Sequence, residues 1–564
     1  MEEIKVKTEK VDDVPLILHI VSEMGIGPII DEIIRPHGNK QGMSMGTTIM
    51  VWVSYILSQS DHRMSEVEEW AASQMIMLKT LIPDEIEAKH FADDKLADCL
   101  RLLSKEENWQ EIEKRLTQRL ISVYKLETEV IRLDSTSCAV YHDSEGKELI
   151  KYGYSKDHRP DLAQFKVMLA TLDPMGMPAA TLVVEGNGSD DGLYIPTIDK
   201  VQKIVGKAGH LYVGDSKMAA KKIRARIEKD KDYYLMPLPQ TGTNPDLLEE
   251  IFEKVKSKQV KVDKLYKKEK GGILALAVEE VREQKIKVEG KEQTWQERVI
   301  ALYSPKLGVE LRRNLDERIS KAKIELLDLT PSPKRGVRQA KELCPLQSQA
   351  QEIIKRYRVE AFLTLDYKEQ TYNTSKHSSQ VQLRYEISVS LNSSIIKKER
   401  ELLGWRIYAT NAPRSLLSLE KAVGIYRNSS SIDHNFSRLK GQPLGLRPLF
   451  IKREDHLIGL VRLLSLALRV LTLTEFLVRQ ALHDSNESLS GLYSGNPNRK
   501  SSTPTAERLL KAFRGIFLSI VFLPGKTVFH LSPLSPLQSQ IISLLGLPVS
   551  IYHVLISEIP FSFP

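Results

Sequence analysis

Apolar positions recur at helical spacing through the first quarter of the chain. In Asp93–Leu103, the residues Leu96, Leu100 and Leu103 share one face. Trp109, Ile112, Leu116 and Leu120 repeat the pattern over 107–124, and an apolar run after Ser44 predicts a helix over 46–59. Residues 1–125 are therefore expected to form a helical N-terminal domain.

The period then changes. Val130–Asp134 reads as a strand that continues toward Tyr141, and Phe165–Leu172 as a second. Asp173-Pro174-Met175-Gly176 is a turn signal, and Pro178–Val184 is the returning strand. A helix over Tyr194–Val205, a short buried strand His210–Gly214, a basic helix Lys217–Glu228 and a strand Tyr233–Met236 complete an order β-β-β-α-β-α-β over 126–238.

Residues 239–415 look like an inserted β-containing module. Glu279–Val288 and Trp295–Tyr303 alternate around the turn Glu289-Gly290-Lys291, as a hairpin does. Glu360–Asp366, Arg384–Leu391 and Trp405–Ala409 are further strand candidates, separated by helical stretches at 310–327 and 338–357. Helical patterning resumes at Pro413–Lys440 and Asp455–Leu482, within a segment 416–484. Residues 485–504, rich in Ser, Asn, Gly and Pro, predict a linker before a tail that ends at Pro564.

Charge refines this division. The net charge of +8 (81 Lys+Arg, 73 Asp+Glu) is uneven: residues 1–130 sum to −9, 131–420 to +9 and 421–564 to +8. An acidic front thus precedes basic segments suited to an anionic partner. Three cysteines, Cys99, Cys138 and Cys344, exclude a disulfide scaffold and a Cys-rich zinc module and fit a reducing, cytoplasmic setting. The start Met1-Glu2-Glu3-Ile4-Lys5 lacks the basic and apolar regions of a signal peptide. Leu457–Val478 is long and Leu-rich, but it contains Arg462, Arg469 and Glu475, each costly at a bilayer centre, and is expected to be a buried helix. No P-loop is present, so no nucleotide cofactor is expected.

Position selects among the 73 acids. Asp134 lies on the first core strand, and Asp215 ends the fourth, after Gly214. Carboxylates on neighbouring strands can share divalent ions. Two such ions, roughly 3.5–4 Å apart, activate the attacking oxygen and stabilise the leaving one in phosphodiester displacement, and hard oxygen ligands suit Mg²⁺. Strand-end turn aspartates are the alternative. Tyr426, Asp433 and Lys440 are seven apart and would form one stripe on a helix, with Ile425, Ile432, Phe436 and Leu439 as an apolar stripe beside it. An ordinary amphipathic helix has the same pattern. Asp157, His158 and Asp161 are a metal-site candidate or a loop pairing with Arg159, and Cys138 reads as core packing.

The order Asp134, Asp215, β-rich insertion, then Tyr426-x₂-Ser429-x₃-Asp433-x₆-Lys440 resembles the DDE-type transposases of bacterial insertion sequences. It is similar to the branch with a Tyr-x₂-Arg-x₃-Glu-x₆-Lys signature. Leu133–Ser137, Tyr152–Leu162, Val213–Ser216 and Arg438–Gly441 match that branch, and the resemblance spans about residues 10–480. It implies an α/β fold: an RNase H-like mixed-sheet catalytic core interrupted by a β-rich insertion, with an N-terminal helical domain and C-terminal helices. It implies catalytic and metal-holding roles for Asp134, Asp215 and Asp433, with two Mg²⁺ ions or Mn²⁺ in their place. It implies that Lys440 contacts DNA phosphate with Tyr426 beside it. Two positions depart from the signature: Asp433 stands where the family has Glu, one methylene shorter, and Ser429 where it has Arg. Arg427 or Arg438 would then supply the missing charge on DNA, and Glu454 and Asp455 are fallback ligands.

The function expected is transposition: metal-dependent cleavage at terminal inverted repeats, strand transfer into target DNA, and synapsis by a homodimer in the cytoplasm, on the nucleoid, without a membrane partner. A stand-alone RNase H-like nuclease and a catalytically inactive DNA-binding remnant are the alternatives. Double-stranded DNA is expected to lie across residues 131–480.

Overall fold

The computed structural model describes residues 5–35, 42–142, 144–206, 208–266, 272–288, 290–332, 339–373, 381–428, 430–449, 451–523 and 526–557. Glu289 of the expected hairpin turn and Ser429 of the signature lie outside the described residues. The chain divides into two compact units, one of residues 1–236, 286–293 and 421–564, the other of 237–285 and 294–420.

The chain opens with strand β1 (Lys5–Lys10) and continues through helices from Val14–Glu23 to Glu106–Tyr124. Ser44 caps the helix Met45–Gln59 as its position suggested: its hydroxyl accepts the Thr47 N–H at 3.0 Å. Trp109, Ile112, Leu116 and Leu120 form the buried face of Glu106–Tyr124.

The core strands follow: β2 (Val130–Ala139), β3 (Gln164–Leu172), β4 (Met177–Glu185), β5 (Leu211–Val213) and β6 (Tyr233–Pro237), with helices Asp191–Val205 and Lys221–Lys229 leading into β5 and β6. Their spatial order is β4-β3-β2-β5-β6. The first three strands are antiparallel, and β5 and β6 run parallel to β2 and to each other. This is the expected RNase H-like arrangement. β3 is buried along its whole length, as an interior strand covered on both faces must be.

The second unit contains helix Asn244–Lys256, then β7 (Asp263–Tyr266), most of the long strands β8 (Ile273–Val288) and β9 (Lys291–Tyr303), and helices Pro305–Asp328 and Leu343–Tyr357. β10 (Leu363–Asn373), β11 (Val381–Leu391), helix Ser393–Leu402 and β12 (Trp405–Thr410) complete it. Its strands run in the order β12-β9-β8-β7, with β10 and β11 as a separate antiparallel pair. It has two small cores. Val278, Val299, Trp405 and Ile407 meet Ile251 in one; Leu315, Leu326, Leu346, Ile353 and Ile387 form the other.

The expected helical stretch Pro413–Lys440 is two helices, Leu419–Arg427 and Ser430–Lys440. Tyr426 therefore does not share a continuous helical stripe with Asp433 and Lys440. Helix Glu454–Asp484 is long and apolar enough to cross a membrane, but nearly all of its apolar window is buried inside the first unit. Its charges are satisfied there: Arg469 meets Glu113 at 2.7 Å, and Arg462 pairs with Glu106. The tail folds too. β13 (Phe517–Leu523) lies between β1 and β14 (Lys526–Leu531), with Lys5 opposite Phe522 and Lys10 opposite Phe517.

Candidate active site

The parallel register of β2 and β5 places two acids level. Ile131 lies opposite Tyr212 and Arg132 opposite Val213. Two residues further along each strand's path stands an aspartate, Asp134 within β2 and Asp215 just past the end of β5. Asp134 accepts the Ser135 N–H at 2.7 Å, while Asp215 accepts the Tyr194 hydroxyl at 2.6 Å and the Lys217 N–H at 2.8 Å. A Cβ on Gly214 would stand 2.7 Å from Met218 Sδ and 3.2 Å from the Tyr194 ring. A side chain at this position would crowd Met218 and the Tyr194 ring that reaches Asp215.

Electrostatics follow from this packing. Burial, aided by the charge of Asp215 and opposed by Lys156, pushes the Asp134 carboxyl up to about 6. Tyr194 is raised above its ordinary value by burial and then by Asp215. A buried carboxylate costs free energy unless it is compensated. The raised Asp134 indicates that its neighbours do not fully compensate it. Two hard-oxygen donors with negative charge in excess fit a divalent ion, and Asp134 and Asp215 would hold it.

Helix Ser430–Lys440 is fastened beside β2. Ile432, Phe436 and Leu439 are buried, the Asn435 side chain donates to the Gly176 carbonyl at 2.6 Å, and Ser431 donates to Asp173 at 3.3 Å. Asp173 also takes Arg132 at 2.5 Å, and Arg132 donates to the Ile425 carbonyl at 2.7 Å. Strand alternation puts Arg132, Asp134 and Cys138 on one face of β2. Arg132 meets the helical segment at Ile425, and Cys138 lies in the field of Lys440. Asp433 falls between these two anchor points in sequence and is exposed to solvent.

The other sequence-derived candidates divide. Tyr426 is half-buried and Arg427 exposed at the end of the preceding helix. Lys440 pairs with Asp157 at 2.9 Å, and Arg447 reaches the other oxygen of that carboxylate at 2.7 Å, so two cations share one acid. Arg438 differs from its expected DNA-facing role. It is 3% exposed and pairs with Glu475 and Glu507, so it braces the helix. Glu454 accepts the N–H groups of Glu148, Leu149 and Ile150, and Asp455 pairs with Arg453, so both fallback acids have structural roles. Asp161 pairs with Arg159, and Cys138 is buried.

Oxygen and nitrogen atoms of His434, Glu475 and Glu507 lie within 4.8 Å of one another. Arg438 contacts both glutamates and Arg479 meets Glu475 at 2.7 Å, so guanidinium groups already neutralise that cluster. Sequence reasoning missed Tyr194, Lys156 and Asp190 beside the acidic pair. Lys156 lies inside the matching stretch Tyr152–Leu162, which was the available signal.

Residues 125–469 match the family described as "Transposase DDE domain", and residues 6–114 match "Domain of unknown function (DUF4277)". No curated protein matches the chain. Among solved structures, a cryo-EM structure of a piggyBac transposase synaptic complex with hairpin DNA is similar at 8% identity and a TM-score of 0.35, over 97% of this chain and 86% of that one.

Proposed function

The chain belongs to the transposase DDE domain family, and from that premise we propose that it cleaves the ends of an insertion sequence and joins them to target DNA. The observation that carries this reading is the level pair Asp134 and Asp215, whose charge is only partly offset by its neighbours and suits a divalent cation. Mg²⁺ ions held by these carboxylates, with Asp433 as third ligand, supply Lewis acidity for in-line phosphodiester displacement when bound.

The chain's own groups orient that chemistry. Tyr194 holds Asp215 by its hydroxyl, and the Ser135 N–H holds Asp134. Helix Ser430–Lys440 presents Asp433 to solvent on the element fastened beside β2. Lys440 and Arg447 share one carboxylate, and the surplus positive charge is suited to a DNA phosphate, with Tyr426 and Arg427 one helix earlier. The substrates proposed are double-stranded terminal inverted repeats and target DNA, synapsed by a homodimer.

Cleavage of DNA carrying the element's ends tests the reading. Wild type is expected to nick at the end and then transfer the 3′-OH, in Mg²⁺ or Mn²⁺. Asp433→Ala is expected to abolish both steps, and unchanged cleavage would remove Asp433 from the ligand set. Asp433→Glu restores the longer side chain, and faster cleavage would mark the shorter acid as a handicap. End binding without cleavage in any divalent metal would instead indicate an inactive descendant, a reading favoured by the departures at Asp433 and Ser429.

A further inference from the structure

The acidic pair already has a cation beside it. Lys156 Nζ lies 2.7 Å from the Ser135 carbonyl and 2.9 Å from its hydroxyl. The same ammonium stands 3.4 Å from Asp134 and 3.4 Å from Asp190. Asp190 accepts Lys166 at 2.7 Å on its other oxygen, which fixes it in place. The Lys156 backbone is held as well, since its N–H donates to Ser137 Oγ at 2.9 Å. The side chain retains 28% exposure, so the ammonium is neither sealed into the core nor free at the surface.

We propose that Lys156 is a positioning residue of the metal site: its ammonium holds Asp134 while no divalent ion is bound and withdraws to Asp190 and Ser135 when one is. This rests on the reading that Asp134 and Asp215 hold the ion.

The geometry makes the exchange inexpensive. The contacts to Asp134 and Asp190 are equal at 3.4 Å and longer than either contact to Ser135, so the ammonium can keep its Ser135 anchor while it moves between the two carboxylates. Asp190 is a second carboxylate, so the withdrawn ammonium is not left without a counter-charge. Before the ion binds, a cation beside Asp134 offsets part of the repulsion between the two acids of the neighbouring strands β2 and β5. After it binds, the ammonium is held by Asp190 and Ser135.

A resident cation competes with the incoming one, and this gives the proposal a readout apart from catalysis. Mn²⁺ binding to the full-length protein, followed by electron paramagnetic resonance, is expected to tighten by about tenfold in Lys156→Gln, the scale of effect a neighbouring charge commonly produces. Lys156→Arg, which keeps the charge, is expected to bind as wild type does. DNA cleavage is expected to fall in Lys156→Gln although the metal binds better. Unchanged or weaker Mn²⁺ binding in folded Lys156→Gln would overturn the proposal. Should that variant fail to fold, Asp190→Asn tests the same exchange. It strands the withdrawn ammonium and is expected to weaken Mn²⁺ binding; unchanged binding would overturn the proposal. Asp134→Asn separates this idea from its premise. If that change leaves Mn²⁺ binding intact, the ion is not on the acidic pair and the site reading itself fails.

Discussion

Within the candidate site, the environment of Asp134 is at odds with its charge. Its carboxyl rises from the ordinary 3.8 to about 6, first through burial. The sign of the linkage follows. Below the lower value the carboxyl is protonated in both folded and unfolded chains; as pH rises through about 6 the folded protein must ionise a group that the unfolded chain ionises more easily. The metal-free protein should therefore lose stability across that window. Asp134→Asn is expected to raise the metal-free melting midpoint at neutral pH and to flatten its pH dependence; a lower midpoint would contradict this. Tyr194→Phe removes the hydroxyl donated to Asp215. Such a bond to a charged group is worth ~1.5–3 kcal/mol, so the end-cleavage rate should fall roughly tenfold or more with little change in DNA affinity, as gel-shift titration can check. Asp134 and Asp215 were legible in the sequence because one follows the apolar start of a strand and the other follows a short apolar strand and a glycine. Tyr194 and Lys156 were not, because their roles exist only once a helix and a loop fold back onto those strands.

At the scale of elements, helix Ser430–Lys440 depends on side chains drawn from distant parts of the first unit. Arg438 joins it to Glu475 on helix Glu454–Asp484 and to Glu507 on helix Ala506–Lys511. Removing Arg438 leaves Glu475 with Arg479 and leaves Glu507 partly exposed, so the cost is that of lost charge-assisted hydrogen bonds, about 1–3 kcal/mol. Arg438→Ala should therefore destabilise the protein by that order in urea unfolding, and abolish cleavage through displacement of the helix. A stability within ~0.5 kcal/mol of wild type would show that the network does not carry the helix. The core strands were legible from short apolar runs closed by turn residues, and their order β-β-β-α-β-α-β matched. The break after Arg427 was not, because the amphipathic spacing of Ile425, Ile432 and Leu439 continues across it. The pairing of β1 with β13 was also hidden, since it joins segments at opposite ends of the chain and local periodicity carries no information on such partners.

For the whole molecule, folding redistributes the charge read along the chain. The acidic front and the basic tail lie in one unit and neutralise each other, partly through Glu106 with Arg462 and Glu113 with Arg469. The second unit contains 32 basic and 24 acidic residues, a net +8, which equals the excess of the entire chain. Within the expected DNA-facing span 131–480, the insertion is thus where a phosphate-binding surface is proposed, at a cleft lined by Arg312, Arg313, Lys321 and Arg400 together with Asp316 and Glu317. Arg313→Ala with Lys321→Ala should weaken non-specific DNA binding and reduce the slope of log affinity against log salt by about 0.9 for each phosphate that is no longer neutralised; an unchanged slope would place the DNA elsewhere. In the function proposed, the level pair Asp134 and Asp215 performs metal-dependent phosphodiester chemistry at DNA ends. The most direct measurement is release of a 3′-OH from end-containing DNA by the full-length protein in Mg²⁺, compared with Asp215→Ala. Cleavage by wild type alone, abolished by chelation, is the result predicted. Equal cleavage by the variant would contradict the account.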